Sequence, residues 1–183
     1  MANDLVADPA VLDGFPGGPF TQAEVDAAVA DVRSAAGWHI APERAETITL
    51  DVTWGERWLR LPTLRLVSVE EIRRTDTAEI IDATVYEVSR ALAQVRRRGF
   101  WPSGYEAVEV DMTHGYTETP PELLAVVAEA AHLGRKDQTI RQLSLGDYSE
   151  SVSGGSAQDE LTTSAVLARY SLTHTGLTHT GLA

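Results

Sequence analysis

The spacing of apolar and polar residues changes twice along the chain, and the changes mark out its elements. Over residues 21–36 the apolar positions Val25, Ala28, Val29, Val32 and Ala36 recur at helical intervals, with Asp26, Asp31 and Arg33 on the opposite side. Thr21 and Glu24 form a capping box at the start of this predicted helix, and Gly37 is suited to end it. A second helix is predicted over 120–133, where Thr119 can cap, Pro120 fits the first position and Glu122 can reach back to an unpaired N–H. Between Leu123 and Leu133 only Glu129 and His132 are strongly polar, whereas a surface helix carries a clear polar stripe. This helix must therefore be enclosed, either by the chain's own core or by copies of itself in a ring.

Between the two helices the period falls to two. Ile48 and Leu50 alternate with Thr49 and Asp51, and Val108 and Val110 alternate with Glu109 and Asp111. Trp58, Leu59 and Leu61, then Leu64, Leu66, Val67 and Val69, then Val85 and Val88 form shorter β-rich runs separated by Gly55, Pro62, Asp76 and Gly99. Such punctuation predicts an antiparallel sheet or sandwich of about five to seven strands spanning roughly 46–113. The fold class read from the pattern is α+β, a helical frame with an antiparallel β-insert between its first two helices.

The flanks are less regular. Residues 1–19, with Pro9, Pro16, Pro19, Gly14, Gly17 and Gly18, predict an arm without regular structure. Beyond Gly134, Ile140, Leu143, Leu145 and Tyr148 suit a hairpin, and SVSGGSAQ has the composition of a flexible linker. A short helix is predicted over about 162–171, followed by LTHTG at 172–176 and again at 177–181, a polar tail expected to order only on a partner. The organisation expected is an arm over 1–19, the frame with its insert over 20–134, and a partner-contacting arm over 135–183.

Composition narrows the functional classes. With 183 residues, 43% of them hydrophobic, the chain suits one globular core with appendages or two small lobes. The absence of cysteine excludes disulfides, thiolate metal sites and cysteine nucleophiles. No apolar run approaches the roughly 18 residues of a membrane span, and Asp4 and Asp8 stand where a signal peptide carries cations, so no membrane partner and no export are expected. The formal charge is −12, and fourteen of the fifteen basic residues are Arg, Lys136 being the one lysine. A general phosphate-binding surface is not expected of such a chain.

Candidate chemistry was sought at the five histidines, 39, 114, 132, 174 and 179, none of which has the spacing of a zincin helix. His114, close to Asp111 and Thr113, is the residue on which a small hydrolase would rest. No Gly-x-Ser-x-Gly elbow accompanies it, and neighbours on a strand point to opposite faces. Gly17–Gly18 and Gly154–Gly155 lack the strand and helix context of a phosphate loop. No catalytic, cofactor-binding or metal-ligating residue is assigned, and no cofactor is expected. Arg96, Arg97 and Arg98 with Phe100 and Trp101 form the one basic and aromatic cluster, whose default reading is a solvated strand end. It also suits phosphates and bases, or the carboxylates of a neighbouring subunit. Trp54, Trp58 and Trp101 would be the ligand face of a monomeric β-rich binding module.

The order of elements, with LRLPTLRLVSVEEI at 59–72 and RRRGFWPSGYEAVEVDMTHGYTETPPELLAVVAEAA at 96–131, resembles the head-to-tail connector, or adaptor, proteins of long-tailed bacteriophages, those of actinobacteria in particular. A strand ending in Thr113-His114-Gly115-Tyr116, then Pro120, Pro121 and an apolar helix, carries most of the likeness. Leu143-Ser144-Leu145-Gly146-Asp147-Tyr148-Ser149 and Ala165-Val166-Leu167-Ala168-Arg169-Tyr170 extend it over about residues 20–171.

The resemblance implies a non-enzymatic virion protein forming a homo-oligomeric, usually dodecameric ring. Such a ring lies at the neck, between the portal and the stopper or tail-completion ring, assembles in the host cytoplasm and passes DNA through its lumen without specific binding. On this reading Val25, Val29, Val32, Leu123, Leu124 and Val127 are expected at the ring interface. Leu161, Val166, Leu167, Tyr170, Leu172 and Leu177 are expected at the portal. Arg96, Arg97, Arg98, Phe100 and Trp101 are expected at other partner or ring contacts, together with Trp54 and Trp58. A strongly negative surface suits a conduit for a polyanion, because phosphate contacts would make it stick.

Overall fold

The computed structural model describes residues 5–143 and 165–172. The chain divides into two compact units, one built from the sequence up to His39 together with that from Glu118 onward, the other from Ile40–Thr117. The first is helical and the second all β, which makes the chain α+β.

In the helical unit α1 runs Gln22–Ala36. Its capping box forms in full: the Thr21 hydroxyl accepts from the Glu24 N–H, and the Glu24 carboxylate accepts from the Thr21 N–H at 2.8 Å. Gly37 ends the helix in the left-handed region that glycine adopts without a Cβ penalty. Val25, Ala28, Val29, Val32 and Ala36 are buried, as the spacing predicts.

The second helix, α2, spans Pro121–Leu143 and departs from expectation at both ends. Pro121 takes the first position instead of Pro120. The Thr119 hydroxyl donates to the Leu5 carbonyl, and Glu122 accepts from the Tyr170 hydroxyl, so neither makes the expected cap. At the other end the helix passes through Gly134, whose open surroundings tolerate the missing side chain, and it includes Ile140 and Leu143 in place of the hairpin. Leu145, Tyr148 and the SVSGGSAQ stretch lie outside the described residues.

Up to Arg135 the helix is largely enclosed by its own chain. Leu123, Val126, Val127, Ala128, Ala130 and Ala131 are buried, which leaves Glu122, Ala125 and Glu129 as its water-facing strip. Two of the elements that cover it come from the ends of the chain. The N-terminal stretch, expected as an arm without regular structure, contains a 3-10 turn at Pro9–Leu12 and buries Leu5, Val6, Leu12 and Phe20. At the far end, α3 (Ala165–Ala168) and the residues after it bury Leu167 and Leu172, with the Leu172 N–H on the Ala36 carbonyl at 2.9 Å and the Trp38 indole on the Tyr170 carbonyl at 2.7 Å. Few apolar side chains in an irregular segment suffice, because burial depends on area covered and not on secondary structure.

Arg135 ties the arm to both helices. It pairs with Glu24 at 2.7 Å, donates to the Gly17 and Pro19 carbonyls at 3.0 Å each, and lies over the Phe20 ring. The Arg135 hydrogen bond, followed by that from the Thr21 backbone, holds the Glu24 carboxyl down at about 2. A depressed carboxylate contributes stability above its unfolded value of 4.5, and that contribution is lost as the pH falls toward 2.

The β unit holds two three-stranded antiparallel sheets, within the range the sequence predicts. The larger has the order β1-β6-β3, from Arg44–Val52, Gly104–His114 and Leu66–Arg74; the smaller has β2-β5-β4, from Trp58–Arg60, Gln94–Arg97 and Tyr86–Ser89. Their inner faces share one core. Leu50, Val52, Ile72, Val108, Val110 and Met112 come from the larger sheet, Leu59 and Val95 from the smaller, with Trp101 and Ile81 from the connections.

Replacing Thr21 by Ala should lower the unfolding free energy by about 1 kcal/mol, and Leu123→Ala should lower it by about 2–5 kcal/mol. Urea unfolding followed by far-UV circular dichroism measures both.

Candidate functional site

The β unit presents its functional groups on two outer faces and at one strand end. Along β6 the inward positions Val108, Val110, Met112 and His114 are buried, and the outward positions Glu109, Asp111 and Thr113 are not. Period two thus settles which side chains can act together.

His114, the last residue of β6, is 2% exposed and its Nε2 lies 2.8 Å from a Glu46 carboxylate oxygen. Glu46 stands on β1 opposite Met112, one diagonal from His114, and also receives Arg44 at 2.8 Å. Burial pushes the His114 imidazole below its ordinary 6.5, and the Glu46 carboxylate offsets this only in part. For Glu46 burial acts upward, but the hydrogen bonds from His114 and Arg44 outweigh it and leave the carboxyl below 4.5. The pairing is therefore a neutral imidazole N–H donating to a carboxylate.

Asp111 belongs elsewhere. Its side chain faces outward, where it accepts from Thr47 and pairs with Arg73. The His114–Asp111 pair on which a hydrolase would rest is not assembled, because the two lie on opposite faces of one strand. Sequence reasoning missed Glu46. The signal was present in its position: Glu46 shares the parity of Ile48 and Leu50, so a charged residue occupies an inward register and requires a partner there.

On the outer face of the larger sheet, Arg73 is surrounded by carboxylates. Glu71 lies 3.0 Å away and Glu109 3.3 Å away, with Asp111 also in contact. A register shift between Val69 and Glu71 leaves Glu70 as an extra residue, and its carboxylate turns to the same side to accept from Thr113 at 2.9 Å. Three acids thus surround one base, and a fourth, Glu70, lies on the same face beside Thr113.

The smaller sheet is the opposite in charge. Leu59 and Val95 point into the core, so Trp58, Arg60 and Arg96 take the outward parity, with the exposed Glu87 of β4 opposite Arg96 as the acid among them, and Arg98 is exposed just past the end of β5. Arg96 lies 5.4 Å from the centroid of the Trp58 ring and Arg57 lies 4.9 Å from that of Phe100. Trp54, in the turn before β2, is 87% exposed.

The expected contact residues divide accordingly. Arg96, Arg98, Phe100, Trp54 and Trp58 are exposed. Trp101 is not: it is 3% exposed, with its indole donating to the Arg57 carbonyl and Arg97 over its ring, so it anchors the core and neither a partner contact nor a continuous tryptophan face runs through it. Of the expected ring residues, Val25, Val29, Val32, Leu123 and Val127 are at most 4% exposed in the single chain, and Leu124 alone is half-buried. Of the expected portal residues, Leu167 and Leu172 are buried, Val166 and Tyr170 are half-buried, and Leu161 and Leu177 lie outside the described residues.

One groove of about 490 Å³ opens on the β unit, between the Arg74–Asp76 ion pair and residues 102–107. No described helix is long and apolar enough to cross a membrane.

The molecule is thus defined as an α+β protein whose β unit carries opposite charges on its two outer faces. No protein-family model matches the chain, and no curated protein matches it. Among solved structures it shares its fold with a chain of the "Neck of empty GTA particle computed with C6 symmetry", at a TM-score of 0.58 and 16% identity over 93% of this chain and 92% of that one. It also matches a chain of the "Virion of native gene transfer agent (GTA) particle", at a TM-score of 0.53 and 18% identity over 92% and 94% of the two chains.

Both shifts in the His114–Glu46 pair carry the same sign. The unfolded chain binds more protons than the folded one, so the pair's contribution is present above about pH 6.5 and is lost as the pH falls through the depressed folded values. Stability should decline from about pH 6.5 downward, and His114→Gln should flatten the upper part of that decline; urea midpoints measured across the pH range report both.

Proposed function

We propose that the chain is a head-to-tail adaptor, a non-enzymatic ring component in the neck of a phage-like particle. The observation that carries the reading is the fold shared over more than nine tenths of both chains with a component of a gene transfer agent neck. In this role copies of the chain form a ring, dodecameric by the resemblance, for which the C6 symmetry of that neck is a compatible arrangement. The ring sits beneath the portal and above the stopper or tail-completion protein, is assembled in the host cytoplasm and remains in the virion neck.

Asp111 is turned away from His114, which disfavours the hydrolase built on that pair, and the burial of Trp101 disfavours the tryptophan-faced binding module. The acidic balance of the chain, −12 in formal charge, suits a lumen through which DNA slides without being held.

The portal arm is narrower in this reading than the pattern of the sequence implied. Residues 165–172 are part of the helical unit's own packing, which leaves residues 173–183, with Leu177, as the segment that reaches the portal.

Truncation after Leu172 should leave the unfolding midpoint within experimental error of the full chain and abolish co-purification with the particle's portal protein. Deletion from residue 157 should lower the midpoint as well, because it removes Leu167 and Leu172 from the core. The adaptor role itself is checked by cryo-electron microscopy of particles carrying a tagged copy: density for the tag at the neck is expected, and density confined to the capsid shell or tail tip is the contrary result.

A further inference from the structure

The guanidinium groups of Arg57, Arg96 and Arg98 make no ion pair among the described residues, although the chain holds 27 acidic side chains against 15 basic ones. Arg44, Arg73, Arg74 and Arg135, by contrast, all have carboxylate partners. Two of the three unpaired groups lie over the exposed rings of Trp58 and Phe100, which are 45% and 56% exposed. Exposed Trp and Arg side by side have the composition of an interface anchor, since both are enriched where contacts carry most of the binding energy.

Their complement is on the same unit. Across the core, the outer face of the larger sheet carries Glu71, Glu109 and Asp111 around the single base Arg73, and Glu70 beside Thr113. Because the inner faces of the two sheets share one core, the acidic and basic faces look away from each other, and a chain cannot join them within itself. A second copy, related to the first by a rotation, can. We propose that the basic aromatic face of one copy docks on the acidic face of the next, so that Arg96 and Arg98 of one β unit meet Glu70 and Glu109 of its neighbour.

Such a contact uses two different surfaces and is heterologous, and a heterologous contact repeated with a constant rotation closes into a ring where that rotation divides a full turn, and otherwise builds an open filament. The inference deepens the adaptor reading by naming the surface through which the ring forms, but it rests physically on charge complementarity and not on where the ring is placed. Arginine suits the task because its planar fork pairs with a carboxylate in two places and is weakly hydrated. Complementary faces also fix register, since any slip brings like charges together.

The test uses two full-length double variants, Arg96→Glu with Arg98→Glu, and Glu70→Lys with Glu109→Lys, each shown by circular dichroism to be folded. The first has two acidic faces and the second two basic ones. Each alone is expected to associate with itself at least about tenfold more weakly than the unaltered chain, and an equimolar mixture is expected to restore assemblies containing both. Analytical ultracentrifugation and native mass spectrometry read the result. Self-association of the unaltered chain should also weaken when NaCl is raised from about 50 to about 500 mM.

Variants that assemble as well as the unaltered chain, a mixture that stays apart, or an unaltered chain that remains monomeric at the highest attainable concentration would each overturn the proposal. So would binding of single-stranded DNA that the Arg96 and Arg98 changes abolish while self-association is untouched. The adaptor reading is judged separately, by the position of the tagged copy in the particle. A neck position with no effect of the charge changes removes this interface alone, and charge-dependent assembly without a neck position removes the adaptor reading alone.

Discussion

Strand β6 is hydrogen-bonded along both edges, to β1 on one side and β3 on the other, and the larger sheet exists only through it. Its partners are distant in sequence: Val110 pairs with Ile48 and with Ile72. β1 has no other partner strand in that sheet, and β3 has beyond β6 only the short bridge from Arg73 to Ile80, so each keeps an open edge until residues 104–114 arrive between them. The inward side chains of the same strand, Val108, Val110 and Met112, supply the centre of the core that the smaller sheet covers. Backbone pairing and apolar burial thus depend on one segment, and the cost of closing two long loops is offset only when both are made together.

This arrangement accounts for what the surface can do. A strand with one face in the core must place every other side chain outward, so Glu109, Asp111 and Thr113 are presented as a row, with Arg73 and Glu71 beside them from β3. The smaller sheet repeats the logic with arginine and tryptophan. Charge separation between the two outer faces follows from which residue types fall on the outward parity, and it requires no special loop or cleft. A binding surface of this kind is rigid before a partner arrives, which reduces the ordering that association demands.

The helical unit has a different economy. A helix as apolar as α2 needs cover, and the cover comes from α1, an irregular N-terminal segment and a short C-terminal return, locked by Arg135 and by the Trp38 indole. Gly17 illustrates how close this packing is: its φ of +91 is a conformation side chains rarely adopt, and a Cβ there would lie 2.4 Å from the His132 ring. The irregular segment is therefore a specific part of the core.

Local signals alone determined a good deal. The capping box and Gly37 bound α1, the period-two runs announced a multistranded antiparallel insert, and their parity already separated His114 from Asp111. These are properties of a few consecutive residues, and short-range sterics and hydrogen bonding decide them. The start of α2 was less legible, because Thr119 had the local option of capping and took a carbonyl more than a hundred residues away instead.

Tertiary structure decided what covers what. Nothing in the spacing of Leu123 or Val127 distinguishes burial under the chain's own N-terminus from burial under a neighbour, since an apolar side chain gains by leaving water whoever supplies the cover. The same holds for Trp101, indistinguishable in sequence from its exposed neighbour Phe100 until the fold turns one inward and leaves the other out. Strand order, the Glu46–His114 pair and the opposition of an acidic and a basic face all arise from contacts between residues far apart in the chain, and these only the folded molecule brings together.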